Sequence, residues 1–252
     1  MLARKYFAFI FLVTGLLVFS GTLRAQSGRL NILVFTADDL DRNTLGCYGS
    51  GVPAISPNID QLAEEGIRFE HAFVNYSICA PSRAILATGL YGHNSGVMGF
   101  MKMEEESPHP LIMEIFRAND YRVGVLGKVG HSTPKENFSW DYTIDADELG
   151  IGRSPTLYYK KTRTFLEACR ESRKPFYLMV NSHDPHRPFF NPDEPLRRGM
   201  ERPSRIYTAE EVPVPGFLPD LPGVREEISY YYNSAKRLDD TFGMVMKALE
   251  ES

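Results

Sequence analysis

The chain has 252 residues, a net charge of −4, 43% hydrophobic and 24% charged residues, and three cysteines. That apolar share excludes a disordered chain, and three cysteines are too few for a disulfide scaffold. The mildly acidic balance argues against a general nucleic-acid binder, and the length suits one large domain or two small ones with a sizeable core.

Residues 1–25 read as an address. Arg4 and Lys5 precede an apolar run from Tyr6 to Phe19, and a short polar stretch ends at Leu23-Arg24-Ala25. A basic start, a short apolar centre and a small residue at the cut describe a secretory signal, and the run is shorter than a membrane span. The expected location is therefore secreted or periplasmic, or a lysosome-type compartment in a eukaryote, with no membrane span after cleavage. Cleavage would remove three basic residues and no acid. Export makes disulfides permissible, but nothing in the sequence brings Cys47 and Cys169 within bonding distance, and they stay unassigned.

From residue 30 strands and helices alternate. Asn31–Ala37 (NILVFTA) is a strand by its β-branched and aromatic content, and Asp38-Asp39 follow it. Ser56-Pro57 opens a helix that runs to Glu65 and stops at Gly66. Phe69–Val74 is predicted as a strand, Pro81–Ala87 as a helix ending at Gly89, Leu111–Ala118 as a helix and Tyr121–Leu126 as a strand. Thr162–Ser172 is predicted helical and Phe176–Asn181 (FYLMVN) a strand. A Pro-rich stretch spans 185–222, and Glu226 to about Leu249 forms a long amphipathic helix. The alternation predicts an α/β fold with a mainly parallel sheet covered by helices on both faces, and such sheets bind ligands beyond the carboxyl ends of their strands.

Four polar groups fall at those ends. Asp38 and Asp39 repel one another unless a cation compensates them, which points to a hard metal or else to a solvated, helix-capping turn. Cys79-Ala80-Pro81-Ser82-Arg83 places a cysteine at a helix N-terminus with a guanidinium one turn later, a setting for an oxyanion beside a nucleophile; a buried structural cysteine is the alternative. Gly127-Lys128-Val129-Gly130-His131 offers a cation for an oxyanion and a proton-transfer group. Ser182-His183-Asp184-Pro185-His186 offers two histidines that suit metal binding, leaving-group polarisation or loop capping. His71, His93 and His109 have no comparable setting and read as structural or surface residues.

Cys79-Ala-Pro-Ser-Arg83 followed by Thr88-Gly89 resembles the signature of the formylglycine-dependent sulfatases. His183–Arg187, Val212–Asp220 and Tyr231–Asp240 are similar to segments of the heparan N-sulfatase branch. The resemblance implies an alkaline-phosphatase-like fold and hydrolysis of sulfate esters or sulfamates of glycosaminoglycan-type sugars. It implies a formylglycine made from Cys79 by a formylglycine-generating enzyme, and calcium or magnesium held by Asp38, Asp39 and residue 79. Arg83, Lys128, His131 and His186 then correspond to sulfate-binding and proton-transfer residues. The family completes its metal site with a later Asp-Asn or Asp-His pair, which has no counterpart here. Residues 26–252 are accordingly expected to be the N-terminal part of a catalytic domain that lacks the C-terminal part, as a truncated product, a fragmentary gene model or a half that needs a complementing chain. Two other readings are a phosphatase or phosphonate hydrolase of the same superfamily, and a sulfated-glycan binder without turnover.

Overall fold

A computed structural model describes residues 28–252; the signal segment 1–25 lies outside the described residues. Asn31–Ser252 form one compact unit. Its sheet has four parallel strands, β1 (Ile32–Asp38), β2 (Arg122–Leu126), β3 (Tyr142–Ile144) and β4 (Phe176–Pro185), in the order β1-β4-β2-β3. The longer helices are α1 (Pro57–Glu65), α2 (Cys79–Thr88), α3 (Ile112–Ala118), α4 (Pro155–Ser172) and α5 (Pro222–Glu250).

Central position explains the composition of β4. It is flanked on both sides, Thr36 pairing with Asn181 and Leu126 with Val180, so nine of its ten residues are buried. Alternate residues feed two cores, as the two-residue period of a strand requires. Tyr177 and Met179 pack with Val123 and Val125 beneath α2 and α3, whereas Leu178 and Val180 pack with Phe165 of α4 and Val245 of α5. Helices therefore cover both faces, as the sequence predicts. Gly124 of β2 lets Phe165 lie against the sheet, since a Cβ there would stand 2.6 Å from the Phe165 ring.

Phe69–Val74 is not a strand: it pairs with no strand among the described residues, and Phe73 is 88% exposed. Apolar content favours a strand only where a neighbour supplies the ladder. β3 was invisible, because three residues carry no period. α4 begins at Pro155, seven residues before the periodic segment, because the Ser154 hydroxyl accepts from the Leu157 N–H at 3.2 Å and Pro155 occupies its first turn.

The Pro-rich stretch forms no ladder and is fastened instead by polar side chains of α5. Asn233 clasps the Tyr207 backbone, accepting its N–H at 2.7 Å and donating to its carbonyl at 3.2 Å. The Ser234 hydroxyl accepts from the Phe190 N–H at 2.7 Å, and Asp240 takes the Ser204 N–H and hydroxyl, both at 2.7 Å. That explains why a helix read as amphipathic also buries Asn233 and Ser234, while buried Asp239 accepts from the Asn58 and Ile59 N–H groups of α1 and pairs with Lys236.

Phe165, fully buried between Gly124, Tyr142 and Phe176, is the test of this core. Phe165→Ala is expected to cost about 3–5 kcal/mol of unfolding free energy. Urea titration followed by far-UV circular dichroism measures it, and a loss below about 1 kcal/mol would contradict the packing described.

Candidate active site

The carboxyl ends of β1, β2 and β4 converge with the start of α2. Asp38, the last residue of β1, is 3% exposed. Its carboxylate is paired with the Lys128 ammonium, and Arg83 Nη2 lies 3.9 Å from Oδ1. Despite the ion pair, Asp38 Oδ2 accepts no hydrogen bond of ordinary geometry. A buried carboxylate needs this compensation, because desolvation disfavours the charge otherwise. Asp39 and Lys128 both stand in the left-handed region, φ 62° and 51°, a strain of roughly 1–3 kcal/mol each that the surrounding contacts must hold.

Asn181, which the sequence reading passed over, joins these ends. Its Oδ1 accepts from the Thr36 hydroxyl at 2.7 Å and from Arg83 Nη1, while Nδ2 donates to the Gly127 carbonyl at 2.9 Å. Arg83 Nη1 also donates to Thr36 Oγ1 at 2.8 Å. The buried Tyr158 hydroxyl donates to the Asn181 carbonyl at 2.6 Å, and burial pushes its pKa up, so it remains a donor. Gly127 is required here: φ is +70°, and a Cβ would stand 2.3 Å from the Asn181 carbonyl oxygen. A polar residue closing an otherwise apolar strand was the available signal for Asn181.

Cys79 is the first residue of α2, two positions before the predicted start, and Pro81 falls within the first turn, where its missing N–H breaks no helical bond. Ile78 caps the helix without a side-chain hydrogen bond, leaving the first N–H groups unpaired by a cap. Gly89 closes the other end at φ 69°, its N–H donating to the Ile85 carbonyl at 2.8 Å. Burial lowers the Arg83 pKa, opposed by Asp38 and then by Cys79, so the guanidinium senses any anion at position 79. Cys79, Asp38, Asp39 and Arg83 line a cleft of about 610 Å³ whose rim carries Phe73 and Leu86. A larger cleft, about 760 Å³, lies between α1, α4 and α5 and gathers none of the residues above.

The histidines occupy three different environments. His131 Nδ1 is buried without a partner; burial lowers its pKa, with Lys128 and Arg83 adding to the effect. His183 Nδ1 is also buried and unpartnered, and its pKa is pushed down to about 3 by burial, then by Lys128 and Arg153. His186 is more open, with Nε2 3.7 Å from Asp39 Oδ2 and Nδ1 2.6 Å from the Arg187 carbonyl. Asp184 faces away from the cleft, fully buried between Arg153 and Arg237.

Asp38 and Asp39 supply the hard oxygen donors that a divalent cation requires. Among the described residues, however, no group of three or more His, Cys, Asp or Glu gathers as a metal site. The two carboxylates fit one wall of a cation site and do not close it. Cys47 and Cys169 are free thiols, the second buried in α4.

The sulfatase family model matches residues 30–252. The chain belongs to the sulfatase family. Human N-sulphoglucosamine sulphohydrolase is 29% identical over 260 aligned positions, covering 94% of this chain and 50% of that protein. A structure solved with its substrate D-glucosamine-2-N,6-O-disulfate aligns with a TM-score of 0.65 at 18% identity, over 89% of this chain and 63% of that one. A phosphonate monoester hydrolase of Agrobacterium radiobacter aligns at 0.66 and 17% identity, over 88% and 60%. The fold is the alkaline-phosphatase-like α/β fold of sulfatases, and the chain spans half or less of the length of the curated relatives it matches. Among the described residues no helix is long and apolar enough to cross a membrane.

The depressed His183 pKa sets a pH dependence. Unfolded, the imidazole binds a proton below its ordinary value of 6.5, whereas folded it stays neutral down to about 3. The unfolded state therefore gains the proton first, and stability falls as pH drops from 6.5 towards 3, by up to about 1.4 kcal/mol per unit. His183→Asn is expected to flatten that part of the curve relative to the parent chain, as measured by urea unfolding at successive pH values; parallel curves would refute the assignment.

Proposed function

We propose that the chain carries the nucleophile-bearing part of a hydrolase for sulfate esters or sulfamates of glycosaminoglycan-type sugars, similar to heparan N-sulfatases, working through a formylglycine made from Cys79. The observation that carries this reading is the convergence of Arg83, Lys128 and Asp38 beside a cysteine at a helix start. Export directed by residues 1–25 and maturation by a formylglycine-generating enzyme belong to the same proposal.

A hydrated formylglycine supplies a hydroxyl nucleophile for sulfur and a second hydroxyl whose ionisation releases sulfate. Arg83, which lines the same cleft as residue 79, would stabilise an anionic oxygen there. Lys128, paired with Asp38 of the cleft wall, would offset charge developing on the sulfate oxygens. His131 and His186 flank this centre, one of them donating a proton to the departing amine or alcohol. Asp38 and Asp39, with the oxygen of residue 79, would hold calcium or magnesium, the remaining ligands coming from a complementing C-terminal part. The phosphonate hydrolase neighbour supports a second reading, in which the same pocket takes a phosphoryl group.

Mass spectrometry of the peptide spanning Cys79, after co-expression with a formylglycine-generating enzyme, is expected to show the aldehyde. An unmodified thiol there would overturn the sulfatase reading. In a preparation that hydrolyses an aryl sulfate, Arg83→Lys and Lys128→Ala are each expected to lower kcat about 10²–10³-fold. Preference for an aryl phosphonate over the sulfate would instead select the second reading.

A further inference from the structure

Arg153 takes no part in the chemistry above, yet it is buried beneath the last residues of β4 with Asp184 and Arg237. Asp184 does not need it. Arg237 alone grips that carboxylate as a fork, Nε to Oδ2 at 2.7 Å and Nη2 to Oδ1 at 2.9 Å. Arg153 adds one bond from Nε to Asp184 Oδ1 at 3.2 Å and directs its other end elsewhere. Its Nη2 donates to the His186 carbonyl at 2.8 Å and to the Arg187 carbonyl at 3.4 Å. One rigid guanidinium thus spans from a fully buried anchor to the backbone of the residue whose ring faces Asp39.

The backbone beside Arg153 braces the other histidine. The Gly152 carbonyl accepts from the His183 N–H at 3.3 Å, and Gly152 has φ +71° with a virtual Cβ 1.9 Å from His183 Nδ1. Arg153 is itself fixed, its N–H reaching the Leu149 and Gly150 carbonyls at 3.0 and 3.1 Å, and its carbonyl accepting from Glu201 at 3.1 Å. We propose that Arg153, oriented by Asp184, is a positioning residue that sets where His183 and His186 stand relative to the Asp38–Asp39 end of the site. Its importance for turnover rests on the sulfatase reading; the positioning itself does not.

Histidine-ring carbon–proton spectra of the full chain at one fixed pH test this. Arg153→Met keeps the volume and leaves the Asp184–Arg237 pair intact, while Arg153→Lys keeps the charge but has one nitrogen for three acceptors. The His183 and His186 ring signals are expected to move in Arg153→Met and to move less in Arg153→Lys, with His71 and His109 unmoved. A merely structural role would lower the melting temperature and leave those two signals in place, which overturns the proposal. Should Arg153→Met fail to fold, Arg153→Lys decides: a displaced His186 signal supports positioning, and the parent signal overturns it. In a preparation that hydrolyses an aryl sulfate, Arg153→Met is expected to lower kcat about 10²-fold with KM nearly unchanged. Moved rings with undiminished hydrolysis would uphold the positioning and refute the role given to His186.

Discussion

The buried charge of Asp38 is the constraint around which the site is arranged. A carboxylate at 3% exposure, left unpaired, would destabilise the fold by several kcal/mol. Its compensation comes from Lys128, just beyond β2, and from Arg83, one turn into α2. These residues are 90 and 45 positions away in sequence, so one electrostatic requirement ties three segments into a single cluster. It also explains why Lys128 tolerates a left-handed backbone: the strain is smaller than the cost of an uncompensated Asp38.

Charge pairing alone would not fix direction, because Coulomb attraction is nearly isotropic. Direction comes from Asn181. As the central strand, β4 lies between β1 and β2, so a side chain at its carboxyl end can reach both neighbours. Asn181 binds Thr36 on one side and Gly127 on the other, and its remaining capacity goes to Arg83. The amide therefore aims the guanidinium while the sheet holds the amide. Close approach at Gly127 is the geometric condition for this, since any side chain there would enter the Asn181 carbonyl.

Much of this was legible, and the reason is the sheet. In a parallel sheet every strand ends on the same side, so polar residues that directly follow apolar runs must meet. Asp38, Lys128 and His183 were found that way, and Cys79 through its helix-start motif. Asn181 escaped notice because it sat inside the run that defined its strand. Arg153 and Arg237 were hidden for a different reason: each lies far in sequence from Asp184 and is brought to it only by the packing of α4 and α5 on β4. The misread segment Phe69–Val74 shows the converse limit. Local composition can state a preference for extended backbone, but hydrogen-bond partners are supplied by the rest of the fold.

The electrostatics of the cluster also set an order of events under the proposed chemistry. Burial depresses both His131 and His183, reinforced by Lys128 and Arg83 for the first and by Lys128 and Arg153 for the second. Lys128 and Arg83, the cations beside the cleft, thus add to burial in keeping both imidazoles neutral. A sulfate group entering among these cations would oppose their field and raise the pKa of His131 and His183. Anion binding and histidine protonation are consequently linked, each favouring the other by the same free energy. A histidine that donates to a departing amine or alcohol acquires its proton most readily after the anion has arrived, when there is a leaving group to receive it.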